Sequence, residues 1–191
     1  MNSSNKIKLI AVSWSSNYKK GFSTYKWIDE NLDFNKFEMK FVGNSPVSFK
    51  NIDVISVLDQ EKLSNDLRAS DIYLTASQKD PCSNSLIEAL HFGLPVLALG
   101  DGGHPEIIQE AGELFKYPEE IPDLLLKIAE NYQTYQSNIN LPNMTNVGSL
   151  YVSFLKTIYN EQREGKFRSK KLKIVQILKV IIFIIFIKFT L

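Results

Sequence analysis

The sequence predicts a doubly wound α/β fold, in which helices cover a parallel sheet, followed by C-terminal helices. Apolar segments of strand length alternate along the chain with segments of helical periodicity, as in a series of βαβ units. At 191 residues, the chain is long enough for one well-buried domain. Its 44% hydrophobic and 23% charged residues are typical of a folded protein and exclude a disordered tail or a fibre.

Six segments have the apolar character of strands, and helical segments fill the intervals between them. The predicted strands are 8–14, 37–43, 52–58, 71–77, 94–100 and 112–117. The first of these strands accounts for the apolar N-terminal residues, which lack the long apolar core of a secretory signal.

The predicted helices have recognisable starts, faces and ends. Asp59 is placed to cap the second helix, in which Leu63 and Leu67 lie on one face. Gly93, followed by Pro95, ends the third helix. The other predicted helices are 22–32, 105–112, 118–131 and an amphipathic helix over 147–163.

Charge and cysteine content exclude several functions. Lys and Arg number 22 against 21 Asp and Glu, so the net charge of +1 gives no bulk attraction to nucleic acid, and we expect no nucleic-acid partner. The single cysteine, Cys82, permits neither an internal disulfide nor a cysteine-rich zinc site. With only two histidines besides, we expect no bound metal. The composition indicates a reducing cytoplasm.

Three loops that follow predicted strands are candidates for a ligand site. Open parallel sheets bind ligands outside the carboxyl ends of their strands. Residues 15–21, 78–85 and 100–106 lie at such ends, and each leads into a helix, whose N-terminus favours an anion. Neither GxGxxG nor GxxxxGK[ST] occurs, so a phosphate site here needs other means.

The segment over 80–108 carries the most specific pattern. Asp80 and Glu88 are separated by seven residues, GLPV follows at 93–96, and GG-x-PE follows at 102–106. Together these motifs resemble the nucleotide-sugar-binding, C-terminal half of retaining GT-B glycosyltransferases of the group 1 type. The Lys20-Gly21 pair is similar to the Lys-Gly of the family's first loop. The resemblance covers about 8–114 and implies a Rossmann-like sheet, one half of a GT-B fold.

The resemblance also implies individual roles. Glu88 would accept hydrogen bonds from ribose hydroxyls, Asp80 would face the donor sugar, and Lys20 would neutralise the departing diphosphate. These three are the predicted catalytic residues. The further predicted substrate-binding residues are Asn17, Ser83, Asn84, Ser85, Gly102 and Gly103.

Two positions depart from the family pattern. Asp80 stands where the family usually has Glu, and Ser15 stands where an Arg is typical. A phosphate contact is therefore missing or comes from elsewhere, with Asn17 and Lys19 as candidates.

Structural explanations are open for some of the same residues. Ser85 and Glu88 have the S-x-x-E spacing of a capping box, which explains Glu88 without a ligand. Lys20 fits a solvated side chain beside a turn glycine. His104 is a further polar candidate, within the third loop.

The expected organisation has three parts: a nucleotide-sugar-binding domain over 1–135, a linker with an amphipathic helix over 136–165, and a basic and apolar tail over 166–191. The expected function is the donor-binding half of a hexosyltransferase-type glycosyltransferase, in polysaccharide or glycolipid biosynthesis, with a nucleoside-diphosphate sugar as donor substrate and no cofactor. We expect the chain to be inactive alone, and a separately encoded N-terminal acceptor domain is one open explanation of how it would work. A GT-B epimerase, a non-catalytic nucleotide-sugar-binding module and a split-gene fragment are open alternatives.

The tail predicts attachment to a membrane. Residues 172–191 are mostly apolar and barely long enough for one span, so we expect them to lie in the interface at the cytoplasmic face rather than to cross it. A basic cluster upstream suits anionic headgroups; its members are Lys166, Arg168, Lys170, Lys171 and Lys173. A buried C-terminal helix is the alternative.

Overall fold

A computed structural model of the chain describes residues 6–56 and 59–166. The strands are β1 (Ile7–Ser13), β2 (Phe37–Gly43), β3 (Asp53–Ile55), β4 (Ile72–Thr75), β5 (Val96–Leu99) and β6 (Gly112–Phe115). The α-helices are α1 (Phe22–Asn31), α2 (Gln60–Arg68), α3 (Asn84–His91), α4 (His104–Ile108), α5 (Ile121–Glu130), α6 (Tyr132–Ser137) and α7 (Met144–Arg163). Short 3-10 turns span Tyr18–Lys20 and Pro118–Glu120.

The strands form one six-stranded sheet in the order β3-β2-β1-β4-β5-β6, and every pairing is parallel. This is the doubly wound order, in which the chain reverses its direction of winding between β1 and β4. The predicted Rossmann-like α/β fold is therefore confirmed. The reversal leaves a crevice above the carboxyl ends of these two strands, where such sheets bind ligands.

Alternate residues of β1 enter two different hydrophobic cores. Leu9 and Ala11 pack in a core with residues of α1 and α5, whereas Ile10 and Val12 pack in a second core with residues of α2, α3 and α4. Because side chains along a strand point alternately to the two faces, each core covers one face of the sheet. Helices on both faces bury the central strands β1, β4 and β5 almost completely, whereas the edge strands β3 and β6 are partly exposed.

The structure corrects some element boundaries. The third strand spans Asp53–Ile55 rather than 52–58, of which residues 57 and 58 lie outside the described ranges. The helix predicted over 118–131 begins as a 3-10 turn. Helix α6 was not predicted, because YQTYQS has no apolar repeat; a hydrogen bond from Gln136 Nε2 to the Gly93 carbonyl (2.9 Å) anchors it instead.

The chain divides at Leu141 into two compact units. The second unit begins at Pro142 and contains α7, whose first turn is capped by Asn143, which accepts a hydrogen bond from the N–H of Asn146 (2.8 Å). Nearly all of the tail and its basic cluster, 167–191, lie outside the described residues, so membrane attachment stays a prediction. In the part of the chain that the structure describes, no helix has the length and apolar character needed to cross a membrane.

Candidate functional site

A cleft of about 330 Å³ lies at the carboxyl ends of β1 and β4, at the switch point of the sheet. The loop after β1 forms one wall, and the loop after β4 with the start of α3 forms the other. Most of the predicted site residues line it, namely Lys20, Asp80, Ser83, Asn84, Ser85 and Glu88. The volume falls within the ordinary range of small-molecule pockets. A larger open depression of about 590 Å³, over 45–54, contains no predicted site residue.

Lys20 is positioned by a close approach between the two loops. Gly21 has a φ of 87°, and a Cβ at this position would lie 2.3 Å from the carbonyl oxygen of Ala76. The N–H of Gln78 donates to the carbonyl of Lys19 (2.7 Å). Only glycine tolerates both the backbone conformation and the proximity, so the Lys-Gly pair fixes the loop after β1 against the end of β4.

Lys20 and Asp80 form an ion pair across the cleft. The Nζ to Oδ2 distance is 3.0 Å, and the two side chains are 35% and 14% exposed. The other carboxylate oxygen of Asp80 accepts a hydrogen bond from the N–H of Cys82 (3.3 Å). The structure thus brings together the two residues predicted to act on diphosphate and sugar, and an anion entering the cleft must compete with Asp80 for the Lys20 ammonium.

The loop after β5, which contains Gly102 and Gly103, packs against the backbone of the loop that carries Asp80. Gly102 has a φ of 59°, and a Cβ there would lie 2.4 Å from the Asp80 carbonyl oxygen, which accepts a hydrogen bond from the N–H of Gly103 (2.9 Å). Asp101 accepts hydrogen bonds from the N–H groups of Lys79 (3.0 Å) and Gly102 (2.7 Å), and these bonds hold the pKa of its carboxyl below the ordinary value. The observed role of the two glycines is to position Asp80; their contact with a ligand stays a prediction.

Glu88 is not part of a capping box. The N-cap of α3 is Ser83, and Ser85 lies inside the helix, where its Oγ accepts a hydrogen bond from the Tyr73 hydroxyl (2.9 Å). Burial raises the pKa of Tyr73, which keeps this hydroxyl a donor. Glu88 is half-buried at the cleft, and its side chain forms no hydrogen bond or ion pair with any residue that the structure describes. Its carboxylate is therefore available to a ligand.

Asn17 has a visible structural role. Its side chain accepts a hydrogen bond from the N–H of Lys19 (3.0 Å) and caps the 3-10 turn that precedes Gly21. Ser15, at the position of the family's Arg, accepts a hydrogen bond from the N–H of Asn17 (3.2 Å). A phosphate contact by Asn17 stays a prediction. In 6–56 and 59–166, no group of three or more His, Cys, Asp or Glu side chains is arranged to hold a metal.

Two residues differ from what the sequence indicates. His104, a polar candidate within a turn, is fully buried, and its Nδ1 lies 2.8 Å from the Leu99 carbonyl oxygen. Trp14 is about half exposed (49%) and lines the cleft, although the sequence pattern predicts a strand residue without a role in the site. The signal that could have identified Trp14 is its place directly after β1, at the edge of the sheet where ligands bind.

A doubly wound sheet with an ion-paired, carboxylate-lined cleft at its switch point defines an α/β protein whose cleft lies where open parallel sheets bind their ligands. Residues 49–140 match the family model Glycosyl transferases group 1. The match covers somewhat less than half of the chain, and the sheet has the Rossmann-like α/β fold predicted for it. No curated protein sequence matches the chain.

Solved structures share the fold. Sucrose-phosphate synthase from Thermosynechococcus elongatus superposes with a TM-score of 0.68 at 16% identity, covering 82% of this chain and 46% of that one. Anabaena Alr3699/HepE in complex with UDP-glucose gives 0.56 at 16% identity, covering 71% and 43%. The C-terminal domain of LpcC, a glycosyl transferase group 1 family protein from Francisella tularensis, gives 0.57 at 21% identity, covering 70% and 80%. The chain thus spans less than half the length of the first two proteins.

Proposed function

We propose that the chain is the donor-binding part of a glycosyltransferase and that the cleft binds a nucleoside-diphosphate sugar. The observation that carries the proposal is the Glu88 carboxylate, which lines the cleft without a partner among the described residues, opposite the Lys20 ammonium. A half-buried carboxylate that accepts no hydrogen bond from a described protein group is suited to accept hydrogen bonds from the hydroxyl groups of a ligand, such as those of a ribose.

The diphosphate binds between the start of α3 and Lys20. The first N–H groups of a helix have no acceptor within the helix, so those near Ser83, Asn84 and Ser85 can donate to phosphate oxygens. Lys20 leaves Asp80 for the diphosphate and neutralises the charge that develops on it as the sugar departs. The exchange releases the Asp80 carboxylate, which then accepts hydrogen bonds from hydroxyls of the donor sugar.

Support for this assignment comes from the family match and from a solved neighbour, since HepE is described in complex with UDP-glucose. Because the chain spans less than half of such neighbours, we also propose that a second α/β domain supplies the acceptor site. Without it, donor and acceptor are not held in one cleft, and slow donor hydrolysis is the most that the chain catalyses.

The basic and apolar tail supports a place at the inner face of a membrane, with a lipid-linked acceptor in polysaccharide or glycolipid synthesis.

Replacing Glu88 with Gln should weaken binding of UDP, GDP or ADP by about 1–3 kcal/mol, because a charge-assisted hydrogen bond is lost while the shape is kept. Asp80→Asn is the matched variant: it should weaken nucleotide sugars more than the corresponding diphosphates. Titration calorimetry on the full chain measures both. Absence of heat with every diphosphate and nucleotide sugar, from a folded sample, would refute the proposed function.

A further inference from the structure

Within the described part of the chain, Trp14 is the one large aromatic side chain that lines the cleft. The roles proposed for the other cleft residues do not account for an aromatic side chain at this position. Its side chain is 49% exposed, whereas Trp27, the second tryptophan of the chain, packs against the core beneath α1. An exposed indole at the wall of a polar cleft offers a flat apolar surface that the protein leaves uncovered.

The backbone that carries Trp14 is held firmly. Asn44 donates from its side chain to the Trp14 carbonyl (2.8 Å) and from its backbone N–H to the Ser13 carbonyl (2.9 Å). Gly43 approaches so closely that a Cβ there would lie 1.9 Å from the Ser13 carbonyl oxygen. With its backbone fixed, the indole has only two side-chain torsions left to order when a ligand binds.

Trp14 and Glu88 line the same cleft. Ile10 and Val12 of β1 pack in the core that also contains Leu86 of α3, and Trp14 follows directly after the strand. Val12 itself lines the cleft. The indole lies on the cleft wall formed by the loop after β1, and the Glu88 carboxylate lies on the wall formed by α3.

We propose that Trp14 is the stacking surface for the base of the nucleoside diphosphate; this inference rests on the proposed function. If Glu88 holds the ribose from the α3 wall, the attached base can reach the wall formed by the loop after β1, where the indole is the exposed aromatic surface. Stacking on an aromatic side chain accepts any base, since every base has a π-face. Trp14 thus contributes affinity for the nucleoside without selecting among bases.

Trp14→Ala in the full chain should weaken UDP, GDP and ADP by about 5- to 100-fold and leave inorganic pyrophosphate, which has no base, unchanged. Trp14→Phe, which keeps an aromatic face, should lose less than about threefold. Because Trp14 is half exposed, both variants should fold as the wild type does, which circular dichroism checks. Fluorescence gives an independent readout: in Trp27→Phe, where Trp14 is the remaining tryptophan, UDP should quench the emission, and in Trp14→Phe it should not.

The outcomes separate this inference from the proposed function. If wild type and Trp14→Ala bind UDP equally, the inference is wrong and the proposed function stands. If Trp14→Ala weakens UDP-glucose and spares UDP, the indole stacks on the sugar, and the assignment to the base is wrong. If the wild type binds no nucleotide, the proposed function fails and this inference fails with it.

Discussion

Replacing Gly102 with alanine should lower the free energy of unfolding by about 2 kcal/mol or more and weaken nucleoside-diphosphate binding by about tenfold or more. The backbone at this position has a positive φ of 59°, and the added Cβ would meet the Asp80 carbonyl oxygen at 2.4 Å. The neighbouring atom is backbone, so the Asp80 loop itself must move, and the ion pair with Lys20 moves with it.

Gly148→Ala is the matched control, because a Cβ on this glycine of α7 has no neighbour within 4 Å. Within a helix, alanine is favoured over glycine by about 0.5–1 kcal/mol, so no loss of stability and no change in binding is expected. Urea denaturation and calorimetry compare the two variants. Equal effects of the two substitutions would show that the loop after β5 does not position Asp80.

Asp29→Ala should lower the free energy of unfolding by about 2–4 kcal/mol. Asp29 lies on α1 and is 5% exposed, and its carboxylate accepts hydrogen bonds from three consecutive N–H groups. These belong to Lys50 (2.8 Å), Asn51 (2.7 Å) and Ile52 (2.9 Å), in the connection between β2 and β3. Removing the carboxylate leaves these donors without their acceptor and releases the connection from α1.

The control is Asp123→Ala, since Asp123 is an exposed residue in the first turn of α5 and makes no side-chain hydrogen bond with a described residue. Loss of its charge near a helix N-terminus should change stability by less than about 1 kcal/mol. Thermal and urea unfolding measure both variants. If Asp29→Ala lowers the free energy of unfolding no more than Asp123→Ala does, the Asp29 carboxylate does not hold the β2–β3 connection to α1.

The parts of the fold that were predictable are those that local patterns determine. Strand β2 spans the predicted residues, and the Asp59 cap is present, with its carboxylate accepting from the N–H of Lys62 at 2.9 Å. Leu63 and Leu67 are buried as their spacing indicates. Helix α6 was missed because tertiary hydrogen bonds rather than an apolar face hold it.

In the site, too, features set by local sequence were predictable, and features set by contacts between distant loops were not. The resemblance to the motifs of a known family pointed to Lys20, Asp80 and Glu88, which the fold brings to one cleft. The sequence does not reveal that Lys20 pairs with Asp80 or that Gly102 supports the Asp80 loop, because both depend on contacts between distant loops. The roles of Trp14 and Asp29 were hidden for the same reason: in sequence, one resembles a strand residue and the other a solvated position on a helix.

The measurement that tests the central claim most directly is the alkylation rate of Cys82, which is exposed, lines the cleft, and is the only cysteine in the sequence. Iodoacetamide labelling of the full chain is followed by mass spectrometry, with and without UDP, GDP, ADP and UDP-glucose. If the cleft binds a nucleoside diphosphate, a ligand present at about ten times its Kd should slow labelling about tenfold, because only the free fraction reacts. Because Glu88→Gln weakens binding at least about fivefold, the variant should label at the same ligand concentration within about threefold of its ligand-free rate. A labelling rate that none of these ligands changes, at concentrations up to the millimolar range, would contradict the account.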